Sequence, residues 1–110
     1  MKLYLSGPMT HYPNLNRPAF YKAARKLRRA GYKVINPPEL DAKEPYKSWE
    51  GNLKRDLRYL TMNDAIATLS GWKKSKGANL EIYVARQLSM PVHPVTYYLK
   101  HKRRLICKNN

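Results

Sequence analysis

Short apolar runs alternate with longer amphipathic segments along this chain, as expected for alternating strands and helices. The apolar runs cover residues 2–6, 32–36, 64–69 and 91–95, and they predict four strands. The near-continuous run at 64–69 is typical of a parallel strand that is covered on both faces. The pattern therefore predicts an α/β fold, a doubly wound parallel sheet of four to five strands with helices on both faces.

Three amphipathic segments predict helices between these strands. The first follows Asn16, a good capping residue, and ends at Gly31. The second follows Ser48 and has the apolar stripe Trp49, Leu53, Leu57 and Leu60. The third has the stripe Ala78, Ile82, Ala85 and Leu88. We expect residues 39–47 to form an irregular loop, and the pattern after residue 96 fits a terminal helix or a disordered tail.

Two carboxylates interrupt these apolar helix stripes. Glu81 lies three residues after Ala78 and four before Ala85, so its side chain points the same way as the core. Asp56 has the same spacing between two leucines of the second helix. Burying a carboxylate is costly unless it has a partner or a chemical role.

A pair of carboxylates in one cleft can cleave a glycosidic bond, because one attacks or stabilises the anomeric carbon while the other protonates the leaving group. The start of a helix favours the ionised form, which suits Glu81 as the nucleophile. A more apolar setting keeps Asp56 protonated, which suits an acid. The alternative is ordinary ion pairing, of Glu81 with Arg86 or Lys76 and of Asp56 with Lys54 or a neighbouring arginine.

The loops that follow the strands at their carboxyl ends are the expected binding edge of such a sheet. They supply an anion loop at Ser6, Gly7 and Pro8, and a second at Ser75 and Gly77 among lysines 73, 74 and 76. Neither loop matches the dinucleotide fingerprint or the P-loop. The alternative is that Ser75 only caps its helix. Four aromatic residues in or beside these loops are candidates for stacking on a base: Trp49, Trp72, Tyr12 and Tyr46.

Composition excludes several classes of protein. The chain has no apolar run long enough to span a membrane, and its single cysteine, Cys107, allows no internal disulfide, so we expect a cytoplasmic protein. The three histidines are far apart, so no metal site and no cofactor are expected.

Charge is distributed unevenly. The chain has 22 Lys and Arg against 7 Asp and Glu, and all carboxylates fall within residues 39–81. This balance predicts an anionic partner such as a nucleotide, or non-specific contact with nucleic acid through the basic tail, residues 97–110. The alternative is a solvated surface that maintains solubility. Residues 1–96 are expected to form the folded domain.

Matching residues occur in order at 3–7 (LYLSG), 55–57 (RDL), 64–66 (DAI) and 75–81 (SKGANLE). In this order and spacing the chain resembles the nucleoside 2-deoxyribosyltransferase superfamily, in particular small phage and prophage proteins, and also the deoxynucleoside 5′-monophosphate N-glycosidases. The resemblance implies a flavodoxin-like or Rossmann-like fold and a homodimer or higher oligomer. For a phage protein, the cytoplasm would be that of the host.

The resemblance also implies roles for individual residues. Glu81 would attack C1′ of a 2′-deoxyribose, Asp56 would help to protonate the departing base, and Tyr4 would position the glutamate. Ser75 would contact a 5′-phosphate. The first loop departs from the pattern of the monophosphate glycosidases, because residues 7–12 (GPMTHY) lack the arginine that grips the phosphate and the glycines beside it. Arg17 and His11 are the candidates to replace that arginine.

Overall fold

The structure is a computed structural model that describes residues 1–107. Residues 108–110, the end of the predicted basic tail, lie outside the described residues. The four strands are β1 (Lys2–Ser6), β2 (Lys33–Ile35), β3 (Ala65–Thr68) and β4 (Val92–Pro94). They form one sheet in the order β2-β1-β3-β4, and every neighbouring pair is parallel. The predicted fold class is therefore confirmed, with four strands.

Six α-helices connect and follow the strands in the described part of the chain. They are α1 (Arg17–Arg29), α2 (Pro37–Lys43), α3 (Trp49–Leu60), α4 (Lys76–Gln87), α5 (Val95–Lys100) and α6 (Lys102–Cys107). As predicted, the Ser48 hydroxyl caps α3 by accepting a hydrogen bond from the amide of Gly51, at 2.9 Å. No described helix is both long enough and apolar enough to cross a bilayer.

Alternation along the strands divides the core between the two sheet faces, because successive strand side chains point in opposite directions. Leu3 and Leu5 face α1 and α5, where they pack with Leu27 and Tyr98. Tyr4 faces α3 and α4 on the other side. The second cluster is completed by Leu60, Ile66, Ile82 and Ala85.

Three sequence predictions were wrong in detail. Residues 39–47 are predicted to be irregular, but Pro37–Lys43 form α2, since prolines at the first helical positions lose no hydrogen bond there. Asn16 does not cap α1: its backbone is left-handed (φ 60°), and its side chain instead donates to the Pro8 carbonyl at 2.9 Å. Leu88 is 54% exposed, because α4 ends one residue before it.

Candidate active site

Glu81 is buried at the carboxyl side of the sheet and is held by β1. It is only 5% exposed, and α4 directs it toward the strand. The Tyr4 hydroxyl donates a hydrogen bond to its Oε2, and the Ser6 hydroxyl donates to its Oε1 at 2.8 Å. Tyr4 and Ser6 are two residues apart on the strand, so both donors face the same helix. Glu81 is thereby fixed in one orientation by residues far from it in sequence.

Burial raises the pKa of Glu81 to about 7, although the hydrogen bonds from Tyr4 and Ser6 act to lower it. The prediction that the helix start would favour ionisation is not met. Glu81 is the sixth residue of α4, and the effect of a helix N-terminus fades beyond the first turn. Burial, followed by the charges of Glu81 and Asp56, also raises the pKa of Tyr4, which keeps its hydroxyl proton available for donation.

Asp56 is the second buried carboxylate, and a buried arginine holds it. Arg55 is completely buried and donates to Asp56 Oδ1 twice, from Nε at 3.0 Å and from Nη2 at 2.8 Å. The expected alternative partner, a neighbouring arginine, is therefore present. Burial raises the pKa of Asp56 to about 6, with the hydrogen bonds and charge of Arg55 opposing the rise.

Arg55 also ties α3 to the preceding segment. Its Nη2 donates to Asp41 Oδ1 at 2.6 Å, and its Nη1 donates to the Glu44 carbonyl at 2.8 Å and to Asn52 Oδ1 at 3.0 Å. The position of Asp56 therefore depends on α2 as well as on its own helix.

Both carboxylates line one cleft of about 740 Å³ at the carboxyl ends of the strands. Four of the five predicted binding residues also line it: Gly7, Pro8, Ser75 and Gly77. Ser6 contributes instead through its bond to Glu81. Glu81 takes part in none of the ion pairs among the described residues, so the expected pairing with Arg86 or Lys76 is absent.

The rim of the cleft carries cationic and aromatic side chains. The Lys76 ammonium lies 4.6 Å from the ring centroid of Trp49, which is 41% exposed. Ser75 does cap α4, since its hydroxyl accepts from the Ala78 amide at 3.2 Å, and it still faces the cleft.

Of the other aromatic candidates, Tyr12 lines the cleft, whereas Trp72 packs beside the Tyr4 cluster. Tyr46 bonds to Glu44, and the pocket lining does not include it. His11 lines the cleft and Arg17 does not.

Sequence reasoning missed two features of this site. Asp41 and Asn52 line the cleft, and both accept hydrogen bonds from Arg55. The sequence pattern places Asp41 in a loop, and its spacing gives no indication of the cleft. The signal for Arg55 is its position next to Asp56 in a predicted helix, from which the sequence predicts only an ordinary ion pair.

Residues 1–94 match the family model described as a domain of unknown function, DUF4406. The chain belongs to the DUF4406 family. No curated protein matches its sequence.

Among solved structures, this DUF4406 protein is similar to a 2-deoxyribosyltransferase from the psychrotolerant bacterium Bacillus psychrosaccharolyticus. The TM-score is 0.67 and the identity 24%, over 84% of this chain and 69% of the other. At this identity the similarity shows the fold, and it confirms the expected α/β architecture.

Proposed function

We propose that this DUF4406 protein cleaves or exchanges the N-glycosidic bond of a 2′-deoxynucleoside 5′-monophosphate. The observation that carries the proposal is the placement of Glu81 in the cleft. Each of its oxygens accepts a hydrogen bond, from Tyr4 and Ser6, and Asp56 lines the same cleft. The fold shared with a 2-deoxyribosyltransferase supports the same class of reaction.

The proposed reaction has two displacement steps. A Glu81 oxygen attacks C1′ and the bond from C1′ to the base nitrogen breaks. The electron pair leaves with the base, which takes a proton from Asp56. Water or a second base then attacks C1′, and the ester bond to Glu81 breaks. The proton released from the acceptor returns to Asp56, so the enzyme is regenerated.

The pKa values of the two carboxyls set the expected pH profile. The reactive form has Glu81 ionised and Asp56 protonated, whereas their pKa values are about 7 and about 6. That form is a minority at every pH, and its population is largest midway between the two values. Base release should therefore follow a bell-shaped profile with a maximum at about pH 6.5.

Substrate choice is proposed from the rim of the cleft. Lys74 and Lys76 flank Ser75 at the start of α4, where backbone amides also point outward. A 5′-phosphate suits this end of the cleft, and the Trp49 ring offers a stacking surface for the base.

Arg55 is proposed as a positioning residue. Two of its donors occupy one oxygen of Asp56, so the other oxygen remains to exchange a proton with the leaving base. Arg55 contacts no cleft space itself, because it is completely buried and absent from the lining.

The deciding experiment is incubation with a panel of deoxynucleotides and ribonucleotides, followed by chromatography for free base, with and without an acceptor base. Glu81→Gln should abolish base release and retain nucleotide binding. The matched control is Glu50→Gln, an exposed carboxylate in α3. Mass spectrometry of the quenched reaction should find a deoxyribose phosphate ester on the peptide that contains Glu81. Failure of the wild-type protein to release base from any nucleotide would reject the proposal.

A binding protein that keeps this fold without catalysis is the second candidate, and the net charge of +15 favours it. It predicts nucleotide binding without base release, and a Glu81→Gln variant that functions like the wild type. The panel therefore separates the two candidates.

A homodimer or higher oligomer is also proposed from the resemblance. Its support is the exposed outer side of α4, where Leu80 and Tyr83 are 40% and 61% exposed. Exposed apolar patches mark association surfaces. Analytical ultracentrifugation of the wild type and of Tyr83→Lys tests it: a monomeric wild type would reject the oligomer.

A further inference from the structure

The helices on one face of the sheet carry only positive charge. α1 and α5 pack on the face of Leu3 and Leu5, and Ile106 of α6 packs against the same cluster. α1 has six Lys and Arg, α5 and α6 together have four, and none of the three helices has a carboxylate. α3 and α4, on the opposite face, have three carboxylates.

The cations of α1 form a stripe toward solvent. Lys22, Arg25 and Arg29 are spaced three and four residues apart, so they share one side of the helix. All three are exposed, because the opposite side of α1 is buried against the sheet. At the rise of an α-helix the stripe is about 10 Å long. Among the ion pairs of residues 1–107, the one that involves α1 joins Arg28 to Glu39 at 2.8 Å.

α6 lies beside the turn that follows α1. A Cβ placed on Gly31, in that turn, would lie 3.1 Å from Cδ1 of Ile106, so α6 packs next to the end of α1. Lys102 and Arg103 of α6 are exposed. The combined surface is called here the basic face, and it consists of Lys22, Arg25, Lys26, Arg29, Lys102 and Arg103.

We propose that the basic face binds nucleic acid through its phosphate backbone, at a site separate from the cleft. Closely spaced cations without carboxylates release counterions from a polyanion, which drives sequence-independent binding. The sequence pattern suggests nucleic-acid contact through the basic tail, and the structure adds the exposed cations of α1 to that surface. This proposal does not depend on the proposed glycosidic reaction.

The composition of the same surface favours nucleic acid over a lipid bilayer. Helices that lie on membranes insert large apolar side chains beside their cations. In the described part of α1, α5 and α6, the large hydrophobic residue that is exposed is Tyr21, at 39%. A tyrosine beside arginines suits stacking on an unpaired base.

Fluorescence anisotropy with labelled single-stranded and duplex DNA of about 20 nucleotides tests the proposal across about 50 to 200 mM salt. The test variant combines Arg25→Gln, Arg29→Gln and Arg103→Gln. The matched control combines Lys43→Gln, Lys47→Gln and Lys54→Gln, which removes the same charge from exposed positions outside the basic face. Glutamine retains helix propensity in both.

The test variant should weaken binding at least about 10-fold and reduce the magnitude of the salt slope by about two to three, while the control stays near the wild type. Equal weakening in both variants would show an effect of net charge alone and overturn the proposal. So would a wild type that binds neither DNA at low salt, or one that binds phosphatidylserine vesicles and no DNA. Base release from free nucleotides should be the same in the test variant and the wild type, so failure of this proposal is distinguishable from failure of the glycosidic one.

Discussion

The two faces of the sheet differ in what they bury. On the face of α1 and α5, the core is apolar and aromatic, and the buried Tyr32 hydroxyl finds its partner within the same face, since it donates to the Tyr98 carbonyl at 2.7 Å. On the face of α3 and α4, the same strand presents Tyr4 and Ser6 to a buried carboxylate. In β1, the odd-numbered residues Leu3 and Leu5 therefore pack in the apolar core, whereas the even-numbered residues Tyr4 and Ser6 form part of the polar site.

The two faces contribute differently to the free energy of folding, because buried carboxyls on the second face are less favourable than buried hydrocarbon on the first. Each buried apolar side chain on the first face contributes roughly 1.5–3 kcal/mol. The second face holds two carboxyls whose pKa values are raised, to about 7 in Glu81 and about 6 in Asp56, which means that burial disfavours their charged forms. Such pairs of perturbed acids are common at functional sites. The comparison therefore predicts that changes on the face of α3 and α4 alter activity, whereas changes in the core under α1 alter stability and leave the activity of the folded protein unchanged.

After the complete loss of base release expected for Glu81→Gln, the largest effect is expected for Asp56→Asn. Loss of the proton donor should lower base release by about 10² to 10⁴-fold. The loss should be much smaller with a nitrophenolate leaving group, which departs without protonation. Steady-state kinetics on both substrates measure it, with Glu50→Gln as the control in the same helix. An equal loss on both substrates would show that Asp56 does not act as the acid.

The next effect is expected on the other face, for Leu27→Ala. Leu27 is completely buried in the α1 core, so its truncation should lower the free energy of unfolding by about 2–5 kcal/mol. Base release per folded molecule should stay at the wild-type level. Urea denaturation measures the stability, and Leu88→Ala, at an exposed position, should change it little. A Leu27→Ala protein that is folded but inactive would break the separation between the faces.

A pH-dependent effect of about 3 kcal/mol is expected for Glu81→Gln. The pKa of Glu81 is raised from 4.5 to about 7 by folding, so the folded state holds its proton more tightly than the unfolded chain. The resulting stability is complete below about pH 4.5 and is lost as the pH rises through about 7. The variant does not lose stability in this way. The free energy of unfolding of the variant, relative to that of the wild type, should therefore rise between about pH 4 and pH 9.

Urea denaturation at both pH values measures this difference. Glu50→Gln changes an exposed carboxylate and should follow the wild type at each pH. A constant difference between wild type and Glu81→Gln would show that Glu81 is not buried as a neutral acid.

The smallest effect is expected for Tyr4→Phe. Removing one hydrogen bond to Glu81 should cost about 1 to 1.5 kcal/mol, or roughly a 10-fold loss of base release. Because that bond lowers the pKa of Glu81, its loss should raise this pKa. The alkaline limb of the pH profile, which follows the higher of the two pKa values when the minority form reacts, should then move to higher pH. Tyr21→Phe, an exposed tyrosine on α1, is the control. A rate loss without a shift of that limb would contradict the positioning of Glu81 by Tyr4.

Much of the fold followed from local patterns. The spacing of apolar residues gave the strands and the helices that pack on them, and Ser48 marked the start of α3. Local rules failed at residues 39–43, which they predict to be irregular and which instead belong to α2, a helix that begins with two prolines. They also left the segment after residue 96 undecided, because burial of Tyr98 in the core depends on contacts with distant strands.

For the candidate site, the sequence by itself determined the direction in which each side chain points. The period of a strand places Tyr4 and Ser6 on one face, and the period of a helix turns Glu81 toward them. The tertiary structure decided the environment. It joined Asp41, Arg55 and Asp56 in one hydrogen-bond network. It also buried Glu81 deeply enough to raise its pKa to about 7. Direction is a property of a few neighbouring residues, whereas desolvation depends on every element that packs around a group.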